Sequence, residues 1–554
     1  MILLAPVLAA ALSVSSGVTA VTTPPQPNQS SPPHSITHAR SIDPRDEVLY
    51  HIFFRSFADS DGDRIGDFNG LTSKLPYLKE LGVTSLMLTP VQPSPFYHNY
   101  FATDFNGIDP KYGTRDDYVA FLRAAHAMGL RVYLDLELQY VAQGHPWWKP
   151  GDPRILWKPD GKTAEPFLTQ PKWEHYNGDW FGIAMLDLGG EAMRREMRDS
   201  LMFWADPHGD GSGRDGADGF RIDHMMDDLD HKGLARDLFA TLWRPIFDEL
   251  RRVRGPDFRI IAEQSDWGYG TDWLTRGDAD WVFAFPLRGA LLSLDKTKIT
   301  AALQATSKAT PAGKFQIPFI ENHDTDRSAS LASDLRQQKL LAALSLFVEG
   351  VPLLYYGQEM GMRGKTLNGL MSDLAHVPLR EGMRWTASLD AAGSATWHRD
   401  ARTPLNNVSN DGVSVQEQSV SEHSLFNTYR SLLALRASSP AWRRGTQVVS
   451  CPAAVDATPA AYRLVSSEHG STDPANVLCI LRSQNGESVT LIANLSDRRT
   501  YTPTGLRGTL LYSTAPSLKG SRELAASASL QPFEARIIRQ PPAAPPRPNL
   551  HLTR

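Results

Sequence analysis

Gly219-Phe220-Arg221-Ile222-Asp223 ends an apolar run in a carboxylate, and Ile260-Ile261-Ala262-Glu263 ends a second. Ile320-Glu321-Asn322-His323-Asp324 ends a third in a histidine and an acid. One Asp after a strand is commonly a turn or cap residue. Three such ends, with Arg221 two residues before the first acid, point instead to a single cluster of carboxylates. Clustered carboxylates suit cleavage of a glycosidic bond. One attacks the anomeric carbon while a second, kept protonated by its surroundings, donates a proton to the leaving oxygen. The two need opposite protonation states and therefore different environments. Arg221 beside Asp223 favours the charged form there, whereas a desolvated position raises the pKa of Glu263.

A second set of acids has metal-ligand spacing. Asp59-Ser60-Asp61-Gly62-Asp63-Arg64-Ile65-Gly66-Asp67 places carboxylates at alternate positions, with Gly62 and Gly66 permitting a tight loop. Hard oxygen ligands at this spacing, with the Ile65 carbonyl as a further one, can wrap a structural Ca²⁺. The twelfth position is Gly70 rather than Glu, so the loop is not an EF-hand. The alternative is a solvated acidic turn, in which four like charges repel without a cation.

These residues need a frame that brings distant strand ends together. From Val48 to about Gly361, short apolar runs alternate with amphipathic stretches, the rhythm of repeated βα units. The predicted strands are Val48–Ser56, Val83–Thr89, Arg131–Leu138, Gly219–Asp223, Arg259–Glu263, Trp281–Phe285, Gln316–Glu321 and Pro352–Tyr356. Eight strands close a parallel (β/α)8 TIM barrel, whose reactive side chains stand where strands end at the C-terminal face. One helix has clear end signals: Thr114 and Asp117 as a cap, Tyr118, Phe121, Leu122 and Ala125 as the apolar face, and Gly129 as the stop. The stretch 141–190 is too long for a βα loop and predicts a small inserted subdomain after strand 3. Its Trp147 and Trp148 either line sugar subsites or form the subdomain's own core. A helix is expected over Ser424–Ser438, and short β runs at Val489–Ala493, Thr509–Tyr512 and Ala535–Ile538 predict a C-terminal antiparallel β domain over 441–540, after a catalytic barrel over 45–440.

G-F-R-I-D, I-I-A-E and E-N-H-D, in that order, resemble the sequence motifs of the α-amylase family of glycoside hydrolases. The similarity extends from V-L-Y-H-I-F-F-R-S-F through I-D-P-K-Y-G-T to V-P-L-L-Y-Y-G-Q-E-M-G. The resemblance implies Asp223 as nucleophile, Glu263 as acid/base and Asp324 as transition-state stabiliser. It implies that His323 contacts sugar hydroxyls, that Arg221 orients Asp223, and that His98 of H-N-Y-F contacts sugar while Tyr100 stacks on it, the alternative for Tyr100 being a buried barrel-rim aromatic. Trp267, four residues beyond Glu263, is a candidate for the leaving-group side. The third strand departs from the family pattern, reading Asp135-Leu136-Glu137-Leu138-Gln139-Tyr140. Tyr140 stands for a sugar-binding histidine and is expected to contact substrate in its place, Gln139 stands for an asparagine that usually ligates an interdomain calcium, and Asp227 stands where many members have histidine. The interdomain calcium is therefore not expected. Arg380-Glu381-Gly382-Met383-Arg384-Trp385 resembles a cleft-loop string and carries no individual assignment. The expected activity is retaining cleavage of α-1,4 bonds in an α-glucan or maltooligosaccharide. The alternatives are an α-glucosidase, a cyclomaltodextrinase or an α-glucan transglycosylase, and, more remotely, a non-catalytic carbohydrate-binding protein.

The rest of the 554-residue chain sets bounds. With 57 Lys+Arg against 61 Asp+Glu, it offers no electrostatic pull toward nucleic acid or an anionic membrane. Residues 1–20 are apolar and small and read as a signal peptide, 21–44 as a Pro-rich linker and 541–554 as a Pro-rich tail. No later apolar run is long enough to span a bilayer. The expectation is a secreted protein, extracellular or periplasmic. Cys451 and Cys479 are either disulfide-bonded or two buried thiols.

Overall fold

The computed structural model describes residues 42–541 except 212, 370, 371, 402, 452–475, 504–506 and 517–527. The expected signal peptide, nearly all of the linker and the tail beyond 541 lie outside the described residues.

Eight parallel strands form the barrel: β1 (Leu49–Ile52), β2 (Ser85–Leu88), β3 (Arg131–Leu136), β7 (Gly219–Met225), β8 (Arg259–Gln264), β9 (Trp281–Phe283), β10 (Phe315–Ile317) and β11 (Leu353–Tyr355). They are laid side by side in the order β10-β9-β8-β7-β3-β2-β1-β11. The ring closes beyond the last regular pairs, where the Val351 and Leu353 amides donate to the Gln316 and Pro318 carbonyls, each at 3.0 Å. All eight predicted strands are present, several shorter than expected. Pro318 has no amide hydrogen, so the seventh barrel strand leaves its ladder early. Phe54–Ser56 tighten into a 3₁₀ turn, and Phe285 opens the helix Phe285–Ser293 instead of ending a strand.

Inward positions fill the barrel rather than leave a pore, with Leu49, Met87, Tyr133, Ile261, Trp281, Phe283, Ile317 and Leu353 forming one buried cluster. The alternate residues pack outward against the helices, as Ile52, Leu86, Leu88 and Leu134 do. The helix Arg115–Ala127 forms as its sequence requires. Thr114 and Asp117 make a reciprocal capping box, and Tyr118, Phe121, Leu122 and Ala125 are buried. Ser424 caps the helix Leu425–Ser438.

Between β3 and β7 lies a three-stranded antiparallel sheet of β4 (Tyr140–Ala142), β5 (Lys172–Glu174) and β6 (Trp180–Met185), ordered β4-β6-β5. Trp147 and Trp148 are half-buried and pack on the core. Trp147 lies 4.4 Å from the His145 ring and under the Arg154 guanidinium. Beyond residue 445, β12 (Thr446–Val448), β13 (Val477–Gln484), β14 (Glu487–Asn494), β16 (Thr509–Ser513) and β18 (Ala535–Arg539) build a five-stranded antiparallel sheet. β15 (Thr500–Tyr501) and β17 (Ser529–Leu530) pair separately. This sheet is fixed to the barrel by Arg482, whose buried guanidinium donates to the Gly445 and Phe347 carbonyls at 3.0 and 3.2 Å. Cys451 and Cys479 are disulfide-bonded, which resolves the alternatives left open by the sequence. Among the described residues no helix is long and apolar enough to cross a membrane.

Candidate active site

Parallel register and the two-residue pleat place the acids. Asp135 pairs with Arg221 across β3 and β7, Arg221 pairs with Ile261 across β7 and β8, and Asp223 and Glu263 lie two residues farther along each of the latter strands. All these side chains share the inward face. Arg221 is the hub. Its guanidinium, 2% exposed, donates to Asp135 at 2.6 Å, to Glu263 at 2.7 Å and to Asp223. A carboxylate oxygen of Asp223, one of Glu263 and a ring nitrogen of His224 all lie within 4.8 Å of one another. Burial pushes the Glu263 carboxyl up from its ordinary value; Arg221 opposes that and the Asp223 charge reinforces it. Burial likewise pushes Asp135 up to about 7.

The second group forms around Asp324. Its Oδ2 lies 2.9 Å from Nε2 of His323, and its Oδ1 accepts from Arg380 at 2.7 Å. Burial works to raise Asp324, but His323 and Arg380 outweigh it and hold the carboxylate well below the usual range. Nε2 of His323 is also 2.9 Å from the Tyr100 hydroxyl, and that hydroxyl donates to Asp135 at 2.6 Å. Tyr100 and His323 stack, with planes 13° apart and centroids 5.6 Å apart. Tyr100 thus joins the Asp324 group to the Arg221 group. His98 is buried beside it, 3.1 Å from Asp373. Trp267 is 44% exposed and stacks on Phe285 with centroids 4.6 Å apart, an apolar face open to a ligand.

One expected contact is corrected. Tyr140 is fully buried, and its hydroxyl donates to Asp230, whose other oxygen accepts from the Leu168 amide at 2.8 Å. It fastens the inserted sheet to the loop after β7 and presents nothing to a sugar. The neighbouring Gln139 amide donates to the Asp223 carbonyl at 2.9 Å and to the His224 carbonyl, so a neutral donor occupies those oxygens.

Four residues escaped the sequence reading as participants. Asp135 and Glu137 were visible as strand-end acids, but only register shows that the first binds Arg221 and that the second falls beside Asp223. Arg380 lay in a cleft-loop string with nothing to connect it to Asp324, 56 residues earlier. His224 had no signal beyond following Asp223.

The Asp59 loop folds back on itself. Asp59 accepts the amides of Asp61, Gly62 and Arg64, and Asp67 accepts those of Ser60 and Gly70 while capping the helix Phe68–Leu81. Gly66 is required, because a Cβ there would fall 2.4 Å from the Phe54 carbonyl oxygen. Asp59, Asp61 and Asp67 bring carboxylate oxygens within 4.8 Å of one another and could hold a metal ion. Asp63 is not one of that group; its Oδ1 accepts from the Ile65 amide at 2.7 Å.

A parallel barrel with carboxylates gathered around Arg221 at its C-terminal face fits a glycoside hydrolase-like enzyme. The alpha amylase catalytic domain family matches residues 51–233 and 275–445, and the chain belongs to that α-amylase family. Alpha-amylase 3 of Dictyoglomus thermophilum is 28% identical over 426 residues, 72% of this chain and 79% of that one. The trehalose synthase of Thermus thermophilus is 28% identical over 82% of this chain, which spans half of that enzyme's length. The 4-alpha-glucanotransferase of Thermotoga neapolitana is 27% identical, over 68% of this chain and 84% of that one. The crystal structure of the alpha-amylase from H. orenii superposes with a TM-score of 0.69 at 23% identity, covering 89% of this chain and 99% of that one.

Proposed function

We propose that the protein is a retaining hydrolase of α-1,4-glucosidic bonds in starch-like glucans or maltooligosaccharides. Asp223 attacks the anomeric carbon, and Glu263 protonates the leaving oxygen and then deprotonates the incoming water. Asp324, held charged by His323 and Arg380, stabilises the developing oxocarbenium ion. The observation that carries this reading is the closeness of the acids: oxygens of Asp223 and Glu263 within 4.8 Å. Retaining sites have carboxyls about 5–5.5 Å apart, and inverting ones about 6.5–9.5 Å to admit a water. Two inversions then give net retention, so the first-formed sugar is expected as the α-anomer in an NMR time course on maltotriose. Early β-anomer would contradict the mechanism.

The exposed Trp267 face supports a sugar beyond the cleaved bond, where an acceptor other than water would also sit. Trehalose synthase and glucanotransferase relatives make transfer the second reading, and product analysis on soluble starch, maltotriose and a cyclic dextrin separates the two. The Cys451–Cys479 bond supports export to an oxidising compartment.

For the acidic loop the reading is one structural Ca²⁺ on Asp59, Asp61 and Asp67, with the chemistry of three gathered hard oxygens in its favour. The loop follows β1 and braces the barrel wall, so chelation should cost stability more than turnover. A ligand at 100 times its Kd contributes about 2.7 kcal/mol. In a chain this long that is a fall in melting temperature of about 2–4 °C, measured by calorimetry with and without chelator. Asp61→Ala should reproduce the fall and respond poorly to added Ca²⁺. An unchanged melting temperature, with no calcium by elemental analysis, would leave an acidic turn.

A further inference from the structure

His224 directly follows the proposed nucleophile and does nothing in the mechanism above. Its backbone has φ 41°, a left-handed conformation that costs a non-glycine residue of order 1–2 kcal/mol. The conformation turns the imidazole back over the carboxylates. Nδ1 lies 3.8 Å from Oδ2 of Asp223, and Nε2 lies 4.0 Å from Oε2 of Glu263. The ring stacks near-parallel on Phe167, with planes 18° apart, and its side chain keeps 36% of its surface exposed.

We propose that Asp223, His224 and Glu263 form a site for a borderline divalent cation of the zinc class, and that this cation competes with substrate. One imidazole nitrogen with two carboxylates is a donor set that zinc takes, with bonds of about 2.0–2.2 Å. Tetrahedral bonds of that length separate neighbouring ligand atoms by about 3.4 Å. Only one ring nitrogen can bind the ion; one nitrogen and one oxygen of each acid lie within 4.8 Å of one another, so the three side chains must draw together by up to about 1.4 Å, which rotation of the 36% exposed imidazole supplies in part. Burial favours the protonated form of Glu263, so a cation must displace that proton, and Oε2 of Glu263 also accepts from Arg221 at 2.7 Å. Arg221 holds Asp223 through Oδ1, so Oδ2 is the oxygen directed at the imidazole. The nitrogen ligand separates this site from the Asp59 loop, whose all-oxygen set suits a hard cation.

The inference rests on the side-chain geometry and not on the sugar chemistry, so its test reads metal directly. Zinc is titrated by calorimetry into the full chain held in excess Ca²⁺, which keeps the acidic loop out of the measurement. One zinc per chain is expected, weakened at least tenfold in His224→Val and in Asp223→Asn, with folding of each variant checked by its circular dichroism. Co²⁺ in place of zinc should give visible absorption bands in the wild type that His224→Val lacks. Zinc affinity and Co²⁺ bands unaltered in both variants, or no zinc bound at all, would overturn the proposal. Zinc bound through His224 but not displaced by maltotriose would overturn the proposed competition and leave only a metal site. Displacement by maltotriose supports both.

Discussion

Asp223→Asn should leave a folded protein that turns over starch about 10⁴-fold more slowly or worse. The amide matches the carboxylate in size and still accepts from Arg221, so the change in melting temperature is expected to be small. It cannot attack the anomeric carbon, and no neighbour can take its place. Glu263 has the wrong protonation state, and Asp324 is occupied by His323 and Arg380. Initial rates and a melting curve on the same preparation check both halves. Turnover within tenfold of wild type would remove Asp223 from the role of nucleophile.

Glu263→Gln has the next largest expected effect, and its pattern is more informative than its size. General acid catalysis contributes about 10²–10⁴-fold, and starch, whose leaving oxygen is strongly basic, should lose that full amount. An aryl α-glycoside with an acidic phenol leaves without a proton, so its first step should be spared. Deglycosylation then becomes limiting, and added azide, which needs no general base, should accelerate it. The wild-type pH profile has a definite sign. Because burial raises the Glu263 pKa, the acid form survives above the ordinary carboxylate range, and kcat/KM falls as pH rises through that raised value. On the aryl substrate the Gln variant should lack this alkaline limb. Equal losses on both substrates would place Glu263 outside proton transfer.

The barrel was legible because its signals are local. Eight apolar runs, their spacing and a capping box at Thr114 depend on neighbours within a few residues, and each strand reappears with its ends shifted by a few residues. Asp223 and Glu263 stood out for a related reason, since a carboxylate near the end of a buried strand costs free energy unless it is paired or used, whereas Asp324 lies beyond the end of its strand, Phe315–Ile317. What sequence could not show is which partners those acids meet. Arg221 as a hub for three carboxylates, Arg380 on Asp324 and Gln139 on the carbonyls of Asp223 and His224 all depend on register between strands or on long loops. The Tyr140 error has the same origin. Its place in the motif pointed to sugar, while the antiparallel pairing of β4 with β6 turned its hydroxyl to Asp230. The disulfide required a Cα separation that spacing alone does not set.

The Arg221 hub also constrains how such an enzyme can change over descent. Losing one of Asp135, Asp223 or Glu263 leaves the guanidinium with two carboxylates, still paired. Losing Arg221 first leaves three buried acids without their shared cation, and any of them that stays ionised without a partner costs several kcal/mol. Decay of the centre is therefore ordered: acids first, arginine last. A descendant of this chain that had given up catalysis would be recognised by an arginine outliving the carboxylates it once served.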